Sequence, residues 1–274
     1  MKIVIIGRDS NLSIALKNKI PNCTLLSSRD IDKSLLSIVN NKDETFCFIF
    51  NNFYPSTHLN DNLDFNKYIK QAILNTASVL SFISHHNLNV QKIIYTSSSS
   101  VYGNNNLCSE NDNPKPISLQ GCLKLSNEKM IERFCMANDI NFTIARIFNM
   151  FGGRDNFSVI SKIENSYKED SILNIINHGS GIRDYIYIGD VVNIYKALLS
   201  NQVTSSNIIN IGTGAGISVA QILSELKGES IDIKVSNLES MEIKQSIANT
   251  NNLKKISNTK EFVNVVHYLI QKMK

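Results

Sequence analysis

Short, almost wholly apolar runs alternate along this chain with segments whose apolar residues recur every three or four positions. The apolar runs at 2–6, 23–26, 46–50, 92–97 and 142–147 have the length and composition of buried strands. Between them, 12–19, 31–40, 66–86 and 119–138 carry helical spacing. Later segments predict helices at 191–199, 218–226 and 261–272 and a strand at 207–211. The stretch 104–116 is polar and holds Pro114 and Pro116, which predicts a loop. Strands that are apolar on both faces belong to a parallel sheet covered by helices on either side. Right-handed crossovers then make an α/β, doubly wound parallel sheet. From about Phe151 the alternation becomes irregular, and a second, smaller region is expected there. The expected division is a dinucleotide-binding domain over 1–150 and a mostly substrate-binding region over 151–274. The latter is interleaved, with about 185–215 returning to the first domain's core.

Composition narrows the function classes. Hydrophobic residues are 42% of 274 and charged residues 19%, enough apolar side chains for a sizeable core and too few charges for disorder. Glycine is scarce, at 12 residues, while Asn is abundant, at 36. Asn, Ile and Lys enrichment fits an AT-rich genome. The net charge is +4 with no dense basic block, so no nucleic-acid partner is expected. The cysteines, Cys23, Cys47, Cys108, Cys122 and Cys135, are odd in number and contain no CxxC pair. That favours reduced thiols in a cytoplasm over a disulfide framework or zinc site. The apolar runs are far too short to span a bilayer, and the chain opens directly on a strand, so neither a membrane segment nor a signal peptide is expected.

A doubly wound sheet binds its ligand beyond the carboxyl ends of the strands, near the point where strand order reverses. The first strand-to-helix turn is Gly7-Arg8-Asp9-Ser10-Asn11-Leu12-Ser13. In a GxxGxxG phosphate turn the second and third glycines would fall at Ser10 and Ser13. Both residues are small, so a pyrophosphate could still approach the helix N-terminus; an ordinary turn reads the same way. The second strand ends in Ser27-Ser28-Arg29 rather than in the carboxylate that would bind a ribose 2′-hydroxyl. An Arg there favours a 2′-phosphate, hence NADP over NAD, although Ser27 or Ser28 could simply cap the next helix. His85 and His86 are adjacent and point about 100° apart on a helix, which makes no metal pair, and His58, His178 and His267 lack ligand spacing.

Several segments, in order, resemble one family. Ser97-Ser98-Ser99-Ser100-Val101-Tyr102-Gly103 resembles an SSSxVYG motif. Glu110 and Pro116-Ile117-Ser118 fall in the loop before a helix bearing Gly121, Lys124-Leu125 and Glu128. Arg146 to Gly152 resembles RxFNxYG. Arg183-Asp184-Tyr185-Ile186-Tyr187-Ile188 resembles RDFIYV. Asn210-Ile211-Gly212-Thr213-Gly214 resembles NIGTG, and 246–253 resembles the VADTSKA segment. Together these are similar to the extended short-chain dehydrogenase/reductases, the Rossmann-fold NAD-dependent epimerase/dehydratase type that modifies nucleotide sugars.

The resemblance implies a Ser, a Tyr and a Lys four residues after the Tyr. Residues i and i+4 share one helix face, and an ammonium beside a phenol favours the phenolate, so the Tyr can act as acid or base on a sugar oxygen. By position the Ser is Ser98 and the Lys is Lys124, which would also hold the nicotinamide ribose. The Tyr position, however, is Gln120, and no Tyr lies between Tyr102 and Tyr167. An amide donates a hydrogen bond but supplies no proton. Four explanations stand at this point. Water or a substrate hydroxyl delivers the proton; Ser98 does so through the ribose and Lys124; the protein binds without catalysis; or Gln120 is an engineered substitution. Cys122 faces another side of the helix and is no substitute.

Further implied positions are Gly7, Arg8, Ser10, Asn11, Leu12, Ser27, Ser28, Arg29, Asn51 and Lys124 for the cofactor. Ser98, Asn149, Ser158 and Arg183 are implied for the substrate. Asn149 resembles the Asn that orients a sugar nucleotide, and Arg183 the Arg that clamps its diphosphate; a surface pair with Asp184 or Asp190 is the plain reading of Arg183. Asn51-Asn52-Phe53 stands where the family has small apolar residues beside the cofactor. The resemblance, together with Ser27–Arg29 and the compact length, leads to an expected NADP(H)-dependent reductase of a nucleotide-activated 4-keto-6-deoxy sugar. A 4-epimerase or dehydratase with bound NAD, and a catalytically silent nucleotide-sugar or dinucleotide-binding protein, are the alternatives. It also implies a homodimer built on the 66–86 and 119–138 helices, and a place in polysaccharide precursor synthesis.

Overall fold

The structure, a computed structural model, describes residues 1–38, 44–51, 65–200, 207–257 and 261–274. The end of the predicted 31–40 helix, together with Asn52, Phe53 and His58, lies outside the described residues. Two compact units divide the chain and interleave along it. The first comprises 1–101, 116–146 and 200–209; the second comprises 102–115, 147–199 and 210–274.

The first unit is built on a six-stranded parallel sheet. Its strands are β1 (Lys2–Ile6), β2 (Cys23–Leu26), β3 (Thr45–Phe50), β4 (Asn89–Ser98), β5 (Asn141–Ile147) and β6 (Asn207–Ile211). Across the sheet they run β6-β5-β4-β3-β1-β2. From β1 the chain goes to β2 on one side and then to β3 on the other, so strand order reverses between β1 and β3. In-register pairing of Ile6 with Phe50 brings the carboxyl ends of those two strands together. The strands are apolar throughout because both faces are covered: Val4, Ile5, Ile6, Phe46, Phe48, Ile49 and Phe50 have no exposed surface.

The helices are α1 (Asn11–Lys19), α2 (Ile31–Leu36), α3 (Phe65–Ile69), α4 (Asn75–His85) and α5 (Leu119–Ala137). Helices α2, α4 and α5 pack on the sheet through Ile31, Leu35, Val79, Leu80, Ile83, Ile131 and Cys135. Two expectations are refined. The fourth strand begins three residues before the predicted 92, and the long 66–86 helix is broken by a π-helical turn at Lys70–Leu74. There the Ala72 carbonyl accepts hydrogen bonds from Thr76 Oγ1 at 3.0 Å and from Asn127 Nδ2 of α5 at 2.9 Å. Periodicity cannot register one extra residue per turn, so the sequence predicts a continuous helix.

The second unit holds short strands and the helices α6 (Val159–Lys168), α7 (Ile188–Ser200), α8 (Val219–Gly228), α9 (Asn251–Ile256) and α10 (Val265–Met273). Its core joins Phe151, Ile160, Ile163, Tyr185, Ile222, Leu226 and Leu269. The strand Tyr185–Tyr187 pairs in parallel with Asn149–Phe151. The predicted 261–272 helix starts at Val265, because Asn264 caps it by accepting from the amides of Val266 and His267. Among the described residues, no helix is long and apolar enough to cross a membrane.

Candidate active site

At the switch point, Gly7 leaves β1 with φ +102°, a backbone region that glycine enters without strain. The amides of Gly7 and Arg8 both donate to the Leu26 carbonyl at 3.0 Å, which turns the chain sharply toward α1. Ser10 caps that helix, accepting from the Ser13 amide at 3.1 Å. The two missing-glycine positions are tied together: Ser10 Oγ donates to Ser13 Oγ at 2.9 Å. Asn51, at the end of β3, donates its amide to both hydroxyls, at 2.8 Å each. Asn51 and Ser13 are buried, Ser10 and Asn11 half-buried, and Arg8 exposed beside Asp9. A positive-φ glycine followed by a capped helix N-terminus, with Arg8 in the turn itself, fits a dinucleotide pyrophosphate.

At the end of β2, Ser27 Oγ accepts from the Arg29 amide at 3.2 Å, and the Ser28 carbonyl accepts from Asn75 Nδ2 at 2.5 Å. Neither serine caps α2, whose N-cap is Asp30. Arg29 is exposed, and its guanidinium has no partner among the described residues.

The other half of the site in this unit lies where β4 ends. Ser98 is half-buried and accepts from the Ser100 amide at 3.2 Å, which leaves its hydroxyl proton to donate elsewhere. Helix α5 is capped by Ser118, whose side chain accepts from Gly121 N at 3.1 Å. Gly121 is required by packing: a Cβ there would stand 2.6 Å from the Ser100 carbonyl oxygen and 2.9 Å from Pro116 Cβ. The helix start thereby lies against the end of β4. Gln120, Lys124 and Glu128 then follow at four-residue intervals along one face. Lys124 is buried, donates to the Thr96 carbonyl at 2.7 Å and lies 5.1 Å from the Tyr95 ring centroid. Loss of water lowers its pKa to about 8, against the opposing pull of the Glu128 charge.

Glu128 anchors that face. Its carboxylate takes a bidentate pair from buried Arg146 (Nε 3.0 Å, Nη2 2.7 Å) and accepts the Ser97 hydroxyl. Half-buried Gln120 makes no side-chain hydrogen bond among the described residues, so its amide is available to a ligand. Cys122 is exposed on another side of the helix.

In the second unit, Asn149 is half-buried; its amide group and its backbone N–H both donate to the Asp184 carbonyl, at 3.1 and 3.0 Å. Ser158 caps α6, accepting from Ser161 N and donating to Asp155, so its hydroxyl is spent locally. Arg183 pairs with Glu242, at 2.8 Å, and not with Asp184 or Asp190. Asp184 is wholly buried, where desolvation raises its pKa. It accepts from Thr213 N, Thr213 Oγ1, Gly214 N and Ala248 N. It thus joins three motif segments that are far apart in sequence. Asn210 does similar work, accepting from Tyr102 Oη at 2.7 Å and donating to the Cys108 carbonyl at 2.8 Å. Sequence reasoning missed Glu242, which lies in an irregular segment with no motif of its own.

These features define a doubly wound α/β protein with a lysine-bearing helix set against its fourth strand. The model of the NAD dependent epimerase/dehydratase family matches residues 39–212, and the chain belongs to that family. Protein CapI of Staphylococcus aureus is 33% identical over 137 residues, 48% of this chain and 40% of that protein. The UDP-glucose 4-epimerase of Yersinia enterocolitica is 28% identical over 163 residues, 51% of this chain and 48% of that protein. The matches thus span about half the length of these relatives. The UDP-glucuronic acid 4-epimerase of Bacillus cereus, solved with UDP-glucuronic acid and NAD, superposes with TM-score 0.84 at 22% identity, covering 100% of this chain and 98% of that one. That likeness is one of fold.

Proposed function

We propose that this chain binds NAD and a nucleoside-diphosphate sugar and exchanges a hydride with the sugar, as the nucleotide-sugar 4-epimerases and dehydratases do. The observation that carries the reading is the α5 face of Gln120, Lys124 and Glu128, on which Lys124 donates to Thr96 and Glu128 pairs with Arg146. When bound, NAD supplies the hydride acceptor. The chain's own residues handle the sugar oxygen and its proton. Ser98 and the Gln120 amide donate hydrogen bonds to that oxygen. The amine of Lys124, with its pKa lowered to about 8, is the group on this face that changes protonation near neutrality. Gly7, Arg8, Ser10, Asn11, Leu12, Ser27 and Ser28 would hold the dinucleotide, with Asn51 acting through its bonds to Ser10 and Ser13. Asn149 and Arg183 would hold the nucleotide sugar, with Ser158 acting only through its cap on α6.

A second reading is NADP(H)-linked reduction of a 4-keto-6-deoxy nucleotide sugar. Two observations favour it: Arg29 is an exposed guanidinium at the end of β2 with no partner among the described residues, and Gln120 cannot take the proton that alcohol oxidation releases. Reduction needs only a proton donor, a role water can fill.

The test is a panel of nucleoside-diphosphate sugars with NAD, and of 4-keto sugar nucleotides with NADH or NADPH. Interconversion of C4 epimers, or loss of water from the sugar, supports the first reading. Consumption of NADPH supports the second. Dinucleotide binding with no turnover on any substrate would leave a binding protein. Light scattering on the purified chain tests the expected homodimer.

A further inference from the structure

Three departures from a glycine-rich phosphate turn meet at one point in the fold. Ser10 and Ser13 stand where the second and third glycines would be, and Asn51 stands where a small apolar residue would follow β3. The strand pairing Ile6↔Phe50 brings the last of these against the first two. One nitrogen then satisfies both serines, since Asn51 Nδ2 carries two protons and donates one to each hydroxyl at 2.8 Å. Two of its three members are buried, Asn51 at 2% exposed and Ser13 not at all, and Ser10 is half-buried.

We propose that Asn51 is a positioning residue for the dinucleotide, a side-chain bridge that replaces glycine packing in the phosphate turn. Glycines let the helix and the pyrophosphate come close by having no side chain. Here the two hydroxymethyl groups are instead held in one arrangement from across the switch point. Ser10 is also the α1 N-cap, so fixing its hydroxyl fixes the first helical turn and the backbone of Arg8 to Leu12. The three residues therefore act as a unit. Removing the amide takes a donor from each hydroxyl, the Ser13 one buried, and removing the hydroxyls leaves a buried amide short of acceptors. The inference rests on the dinucleotide-binding reading proposed above.

The test is a mutant cycle read by titration with NADH and NADPH, each variant held well below its own melting midpoint. Asn51→Ala is expected to weaken dinucleotide binding about tenfold, and Ser10→Gly with Ser13→Gly to weaken it similarly. The triple variant, which restores the glycine pattern and removes the orphaned amide, is expected to recover to within about threefold of the parent chain. Rescue separates positioning from simple loss of a contact. If the Asn51→Ala loss is the same in both backgrounds, or if Asn51→Ala changes nothing, the proposal is overturned while dinucleotide binding stands. If the parent chain binds neither dinucleotide, the functional reading falls and takes this proposal with it.

Discussion

The amine of Lys124 donates to the carbonyl oxygen of Thr96 at 2.7 Å, and burial holds its pKa at about 8. Only the neutral amine accepts a proton. Turnover limited by oxidation of a sugar hydroxyl should therefore rise as pH passes up through about 8. Turnover limited by protonation of a ketone should fall over the same range. Initial rates from pH 6.5 to 9.5 at saturating substrate distinguish the two, and Lys124→Met should erase the inflection. The same shift bears on folding. The folded chain holds this proton less tightly than the unfolded one, so the contribution to stability is present above the ordinary lysine value. It is lost as pH falls through about 8.

Gln120→Tyr places a phenol four residues before Lys124 on the same helix face. The neighbouring ammonium favours its ionised form, and the site gains a positioned acid and base. The expected gain in kcat is roughly 10²–10⁴. An unchanged kcat in a folded variant would mean that the proton reaches the sugar without passing this position.

Glu128→Ala removes the bidentate partner of Arg146, which is 1% exposed. An uncompensated buried guanidinium should cost about 3–5 kcal/mol in urea unfolding. Replacing both residues by methionine should recover much of that loss, because the desolvation of both charges is then removed together.

Gly121→Ala tests the approach of α5 to β4. Its Cβ would meet backbone, the Ser100 carbonyl oxygen at 2.6 Å, which cannot swing aside as a side chain can. A loss of about 1–3 kcal/mol is expected. Because the first turn carrying Gln120 must shift, the fall in kcat should exceed any fall in dinucleotide affinity.

Arg183 spends one arm of its guanidinium on Glu242. A diphosphate would compete with that carboxylate for the same fork. Titration with UDP should show Glu242→Gln binding about fivefold more tightly than the parent chain, the scale of a partly exposed ion pair. Arg183→Ala should lose most of the affinity. Weaker binding by Glu242→Gln would show instead that the carboxylate orients the arginine.

Much of the first unit is legible along the chain. Runs such as Phe46 to Phe50 have no polar face, and only a sheet covered on both sides accommodates them. The cap at Ser118 and the four-residue spacing of Gln120, Lys124 and Glu128 are local features, carried by helix geometry alone. The π-helical turn at Lys70–Leu74 is not legible, because the packing of α5 through Asn127 accompanies it and no residue within the turn announces it. The second unit is less legible still. Its strands are two to four residues long, too short for periodicity to register.

By itself the sequence determines the strand–helix alternation, the order of the motifs, and the fact that an amide stands where a phenol would be expected. Those are properties of neighbours along the chain, and short-range stereochemistry expresses them directly. Tertiary structure alone decides which side chains satisfy one another. Glu242 meets Arg183 across 59 residues, and Asn51 meets Ser10 across 41. Such pairings follow from strand order and from the burial that makes an unsatisfied polar group costly, and neither leaves a mark on the local pattern. The three substitutions at the phosphate turn look independent in the sequence. The fold makes them one bonded cluster, because reversal of strand order between β1 and β3 brings their two turns together.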